Sequence, residues 1–300
     1  MPALSTLIGF ARPHTVIATT VQVITLFLIV GGRAALERDS FGLVALALAA
    51  CLLLNLYVVG LNQLTDVAID RINKPWLPVA AGTLTPQQAR LLVAGAGLGA
   101  LALGALAGIY LLLTIVLIML IGSAYSLPPT RLKRFPLAAA LSIAAARGVI
   151  ANLGLALHYR EQLGGALPVL TLSLLGIFFF GFGLVIAIYK DIPDDEGDRQ
   201  HAIETFTTRL GKRRALDIGR AVLAICYALP IGLALAGLPA GDALFLLVSH
   251  AVIFAVFWAV STRVDLGRQR SVSSFYMFLW ALFYVEFAVL SVYELARSVA

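Results

Sequence analysis

Charge is scarce in this chain. Only 13% of its 300 residues are Asp, Glu, Lys or Arg, while 60% are hydrophobic. A soluble domain carries about 25% charged residues. Too few polar side chains remain to cover a folded surface in water, which points to a chain that spans a membrane. Cysteine is nearly absent. Cys51 and Cys226 both lie in apolar runs and in no CxxC or metal-ligand spacing, so they read as inert buried thiols. No basic stretch interleaved with aromatics occurs, and the net charge of +6 therefore records topology; no nucleic-acid partner is expected. The first apolar run has no Lys/Arg-rich stretch before it and no A-x-A site after it. A cleaved signal peptide is not expected, and the first span is expected to stay.

Long apolar runs are what the chain has in abundance. A membrane helix needs about 20 mostly apolar residues. Nine such segments occur, near 15–32, 41–61, 89–107, 109–127, 136–157, 167–189, 215–236, 242–262 and 274–296. Residues 91–127 carry no charge and are too many for one crossing, so a tight turn is expected near Gly108. The Gly and Ala content of the third span suits close helix packing. The fold class is all-α, a polytopic membrane protein.

Loop charge orients the spans. Fifteen of the 22 Lys and Arg follow the second, fourth, sixth and eighth spans; the odd loops carry Arg33, Arg38 and Arg160. The positive-inside rule then places the even loops and the N-terminus in the cytoplasm. Both acidic clusters sit in even loops. Asp66 and Asp70 follow the second span; Asp191, Asp194, Asp195, Glu196 and Asp198 follow the sixth. Each cluster ends in Asp-Arg (Asp70-Arg71 and Asp198-Arg199), and a four-helix unit used twice would account for the match.

Asn62, Asp66 and Asp70 are spaced i, i+4, i+8, and Asp191, Asp194 or Asp195, and Asp198 are spaced i, i+3/4, i+7. On a helix each set shares a face. Carboxylates at a membrane boundary are costly unless paired or metal-bound. Mg²⁺ suits them, because it takes oxygen ligands from one or two carboxylates plus substrate phosphates. Arg71, Lys74, Lys190 and Arg199 stand close enough in sequence to meet phosphate oxygens. The plainer reading is a pair of solvated loops whose acids meet their own basic neighbours. A calcium loop does not fit: with Gly197 at its sixth position, Ile192 and Ile203 fall where acids are required.

NQLTDVAID resembles the NxxxDxxxD motif of the UbiA superfamily of intramembrane prenyltransferases, and KDIPDDEGD resembles its second aspartate-rich motif. RPHTVI (12–17), GLNQLTDVAIDRINKPWLP (60–78), RGVIANLGLALH (147–158) and YKDIPDDEGDRQHAIETFTTRLG (189–211) look like the homogentisate prenyltransferase branch. The resemblance runs from about residue 8 to the end and implies one domain over residues 1–300, with nine helices around a central cavity. It implies Mg²⁺, two ions, held by Asn62, Asp66 and Asp70 and by Asp191, Asp194 or Asp195, and Asp198, with Asp66, Asp70, Asp191 and Asp198 counted as catalytic. Trp76 stands where this branch carries His, which bears on acceptor or donor preference unless it is an interfacial anchor.

The implied reaction joins a prenyl diphosphate to homogentisate with loss of CO₂, in tocopherol- or plastoquinone-type biosynthesis. The stretch YSLPPTRLKR (125–134) resembles the superfamily's Tyr- and Lys-containing loop and would bring Tyr125, Arg131, Lys133 and Arg134 towards the diphosphate. Arg147 and Asn152 fall inside the fifth span. An intramembrane arginine is either a binding residue for the acceptor's carboxylate or a partner of backbone or acid within the bundle. Glu286, in the ninth span, reads as a partner for an arginine or a polar contact between helices; His158 and Asn55 read as packing or boundary residues. Other acceptors of the superfamily (4-hydroxybenzoate, dihydroxynaphthoate, chlorophyllide, glycerol phosphate) form a second reading. A cation-coupled transporter is a third, and acids at span ends rather than at the midplane count against it. Without a transit peptide, a bacterial inner membrane is the expected location.

Overall fold

The computed structural model describes residues 3–37, 40–201, 203–237 and 243–297. Among these all regular structure is helical. Among the described residues nine helices are long and apolar enough to cross a membrane: Pro13–Gly32, Phe41–Thr65, Pro86–Ala107, Ile109–Ser126, Pro136–Leu163, Val169–Tyr189, Lys212–Leu235, Ala243–Ser261 and Gln269–Arg297. In lipid every backbone polar group must find its partner within the segment, which helices achieve. All nine expected spans are present, several longer than their apolar stretch. Arg38, and residue 242 where the eighth span was expected to begin, lie outside the described residues.

Local chemistry sets the ends. Thr85 and Gln88 form a capping box at the start of the third span, with Pro86 at its first position. Gly108 makes the turn into the fourth span at φ 136°, a conformation that suits glycine.

The first span packs on the second, fifth and ninth; the sixth packs on the fifth, seventh and ninth. The third lies against the second and fourth, and the eighth against the seventh and ninth. A large apolar cluster joins the sixth and ninth spans, where the rings of Phe179 and Phe287 stack at 4.0 Å. Glu286 shares a 2.8 Å hydrogen bond with His250 of the eighth span, so of its two expected roles it makes the polar contact between helices. His158 is fully buried and packs against Tyr159.

The fifth span departs from its expected form. Its hydrogen bonding loosens into a π turn over Ala145–Ile150, between α-helical Pro136–Ala144 and Ala151–Leu163. π turns are frequent at functional sites, and this one carries Arg147. Beside it, a Cβ on Gly148 would stand 2.5 Å from the backbone nitrogen of Phe180 in the sixth span. Gly148→Ala is expected to destabilise the protein by roughly 1–3 kcal/mol through overpacking. A thermal melt in detergent identical to wild type would show that the close backbone approach is absent.

Candidate active site

The second span ends at Thr65. Asp66 leaves helical geometry (φ −115°, ψ 14°), and a short helix, Val67–Asn73, follows. The sixth span ends at Tyr189, and Asp194 precedes the short helix Asp195–Gln200. The expectation that each acid set shares one continuous helical face is therefore corrected. Asn62 lies on a span, Asp66 at the break and Asp70 on the next helix; Asp191 lies in a turn and Asp198 on a helix. The break lets each set wrap around a space instead of lining a ridge.

That space is a cavity of about 580 Å³. Its wall includes Asn62, Asp66, Asp70, Asp191, Asp194 and Asp198, so both acidic segments meet at one end of the bundle. Lys74, Lys133, Lys190 and Tyr125 share the wall. Further in, Val58, Ile118, Ile121 and Ile143 make it apolar. Several other residues marked in the sequence lie off this wall. Arg71 and Arg134 are exposed, and Arg134 stacks over Phe135 at 4.9 Å. Asp195 receives a 2.9 Å hydrogen bond from exposed Arg199, so of the two neighbouring acids Asp194 faces the cavity. Arg131 holds its guanidinium 3.7 Å from Asp66. Asn152 is buried in the fifth span, bonded by Gln22 at 2.6 Å and donating to the Gly148 carbonyl at 2.8 Å. Arg147 lines a smaller chamber of about 180 Å³, together with Asn55. Trp76 is 72% exposed and sits at the cavity's rim.

Each lysine on the wall is paired with a cluster acid. Lys133 bonds Asp66 and, at 3.0 Å, the Thr65 hydroxyl; Lys74 bonds Asp194; Lys190 bonds Asp191. Burial pushes the Asp70 carboxyl up to about 6, against the opposing pull of Lys74 and Arg12. Burial, helped by the charges of Asp191 and Asp194, pushes Asp198 up to about 7. Burial also raises Asp191, despite Lys190. The mouth thus holds more carboxylate than its lysines neutralise.

The donor set fits a hard divalent cation. Every candidate ligand is an oxygen, and Asp70 Oδ2 is buried without a hydrogen-bond partner. Among the described residues no three Asp, Glu, His or Cys side chains already converge on one point. Such an ion would take one or two carboxylates per cluster and need further oxygens, which phosphates supply.

Two residues that charge and spacing did not single out also shape the site. Asn73 bridges the acidic segments: its Oδ1 accepts from the Gly197 backbone N–H at 2.8 Å, and its Nδ2 donates to Asp198 at 3.3 Å. Arg12 donates to Asn62 at 3.5 Å from a backbone held at φ 55°. The NKP and RPH triplets were signals for both. Loss of outer partners that orient ligands weakens metal binding. Asn73→Ala is accordingly expected to raise the Mg²⁺ concentration needed for half-maximal turnover about tenfold. An unchanged requirement would remove Asn73 from the site.

An all-helical integral membrane protein, with an acid- and lysine-lined mouth opening on an apolar interior, is the class that fold and site define. The model of the UbiA prenyltransferase family matches residues 20–282, and the chain belongs to that family. It is 44% identical over 283 residues to the homogentisate phytyltransferase of Synechocystis sp., covering 93% of this chain and 92% of that protein. It is 35% identical to homogentisate phytyltransferase 1, chloroplastic, of Arabidopsis thaliana, over 94% of this chain and 73% of that one. A UbiA homolog from Archaeoglobus fulgidus, solved bound to GPP and Mg²⁺, shares the fold: TM-score 0.68, 16% identity, 97% of this chain and 99% of that chain.

Proposed function

We propose that this protein transfers a prenyl group, of phytyl or geranylgeranyl type, from its diphosphate to homogentisate with loss of CO₂, within a single domain over residues 1–300. The observation that carries the reading is a cavity whose polar mouth gathers both carboxylate clusters and three lysines above apolar walls. The near full-length similarity to a homogentisate phytyltransferase favours this acceptor over 4-hydroxybenzoate, dihydroxynaphthoate, chlorophyllide or glycerol phosphate.

Asn62, Asp66 and Asp70 on one side, and Asp191, Asp194 and Asp198 on the other, would hold Mg²⁺ ions, two in this reading. Bound there, Mg²⁺ neutralises the charge that gathers on the departing diphosphate. Lys74, Lys133 and Lys190 turn from their carboxylates to the phosphate oxygens, and Arg131 approaches from the rim. The C–O bond of the donor breaks with its electron pair on the diphosphate, and a ring carbon of the acceptor bonds to the allylic carbon. The proton displaced from the ring balances the one gained by the side-chain methylene when its carboxylate leaves as CO₂. The apolar wall keeps water from the allylic cation.

The acidic mouth faces the cytoplasm of a bacterial cell membrane in this reading, on the strength of the loop charges. A reporter fused at residue 74 and active only outside would contradict that orientation. The reaction itself is tested by giving the purified protein a panel of prenyl diphosphates and aromatic acceptors with Mg²⁺. Prenylated methylquinol is the expected product; turnover of a different acceptor alone would replace homogentisate.

A further inference from the structure

The reaction needs a proton carrier. The acceptor ring loses a proton when the allylic carbon bonds to it, and the side-chain methylene gains one when CO₂ departs. Most titratable side chains on the cavity wall are already committed. Asp66, Asp191 and Asp194 each hold a lysine, and Asp70 and Asp198 belong to the sets assigned to Mg²⁺. A cluster acid that took the ring proton would lose the charge that holds its cation. Lys74, Lys133 and Lys190 are the partners of those acids, and Tyr125 and Tyr276 are phenols, ordinarily protonated near neutral pH.

His14 differs from all of these. It lines the same cavity and is the only histidine on that wall among the described residues. The ninth span holds it in place. The Tyr284 hydroxyl donates to the His14 carbonyl at 2.7 Å, and the imidazole packs against Trp280 with ring centroids 5.1 Å apart. Arg12, two residues earlier, has φ 55° and reaches Asn62 at 3.5 Å. His14 therefore stands beside the acidic mouth, on the first turn of the first span. Neither of its ring nitrogens makes a hydrogen bond among the described residues. The charges that act on it are those of Arg12, Arg147 and Lys74, and no cluster carboxylate is among them. Tyr276 and Tyr284 are the titratable groups that the ninth span brings to this corner. Histidine ordinarily titrates near neutral pH, so one side chain can take up a proton and give it back within a cycle.

We propose that His14 is the proton carrier of the reaction: it accepts the ring proton displaced by the prenyl group and delivers it to the methylene carbon that loses CO₂. The inference rests on the prenyl-transfer reading and deepens it by assigning the base. A π pair of the ring forms the bond to the allylic carbon. The C–H pair returns to the ring as a free nitrogen of His14 takes the proton. The pair from the bond to the departing carboxylate then collects that proton at the methylene, and the imidazole is neutral again. No proton is gained or lost over the cycle, and no further reagent is required.

The test is steady-state turnover of homogentisate, unlabelled and deuterated on its ring, with geranylgeranyl diphosphate and Mg²⁺. The proteins are wild type, His14→Gln and His14→Gly. Binding of geranylgeranyl thiolodiphosphate, an unreactive donor analogue, and a thermal melt are measured alongside. His14→Gln should lower kcat about 10²-fold or more, the usual share of a general base. Its KM values and analogue binding should stay near those of wild type. Its ring-deuterium isotope effect should exceed that of wild type, because loss of the ring hydrogen becomes the slow step. Added imidazole should restore part of the rate to His14→Gly and none to His14→Gln. A kcat within a few-fold of wild type in both variants overturns the proposal and leaves the proton to the departing diphosphate. So does a slow variant with no increased isotope effect and no rescue by imidazole, or a loss of rate matched by loss of analogue binding or of folding, since His14 is then structural. If wild type makes prenylated methylquinol and the variants match it, only the role of His14 falls; if wild type prenylates no acceptor, the functional reading itself falls.

Discussion

Asp66→Ala and Asp191→Ala are each expected to lower turnover about 10³-fold or more while the protein still inserts in the membrane and binds detergent as wild type does. The size follows from the reaction. Departure of diphosphate concentrates negative charge, and a Lewis-acid cation is worth several kcal/mol there, which is about three decades in rate. Each acid contributes an oxygen to the mouth and anchors one lysine, Lys133 for Asp66 and Lys190 for Asp191. Replacing either therefore weakens the hold on both cation and phosphate. The loss should appear in kcat and not be restored by raising Mg²⁺. Turnover within a few-fold of wild type for either variant would remove that cluster from the reaction.

Lys133→Met is expected to have two effects of opposite sign. Lys133 is 8% exposed and bonded to Asp66 and Thr65. In the absence of donor it neutralises Asp66 and so competes with a cation for that carboxylate. In the proposed reaction it would become a partner of the diphosphate once donor is bound. A charge-assisted hydrogen bond is worth about 1.5–3 kcal/mol, so donor affinity should fall about 10- to 100-fold. Mg²⁺ affinity without donor should rise, because the competing ammonium is gone. Calorimetry with Mg²⁺ alone, and then with a donor analogue, separates the two. Weaker Mg²⁺ binding together with unchanged donor binding would contradict the exchange of partners.

Much of the architecture was legible in the sequence. The apolar runs located nine spans, because a bilayer demands length and greasiness that few other structures show. Gly108 marked its own turn, since φ 136° favours glycine. The two acid sets were visible as spaced charges, and both reach one cavity. Their exact path was not visible. A spacing of i, i+4, i+8 looks the same whether the helix continues or breaks at Asp66, and the break is what turns the set around a space.

Which basic residues face inward was equally hidden. On a helix each step rotates a side chain by about 100°. Arg71 and Lys74 are three residues apart, on or just beyond the short helix Val67–Asn73, yet Arg71 is exposed and Lys74 lines the cavity. Asn73 carries no charge to draw attention, although it ties the two acidic segments together. The π turn under Arg147 leaves no mark in an apolar pattern, because one extra residue in a turn shifts the faces without changing composition.

The most direct measurement uses homogentisate labelled in its carboxyl carbon, incubated with the purified protein, Mg²⁺ and phytyl or geranylgeranyl diphosphate. The account predicts labelled CO₂ released in equal amount to prenylated methylquinol, and no release when either the diphosphate or Mg²⁺ is left out. A prenylated product that keeps its label, or CO₂ released without any diphosphate, would contradict it.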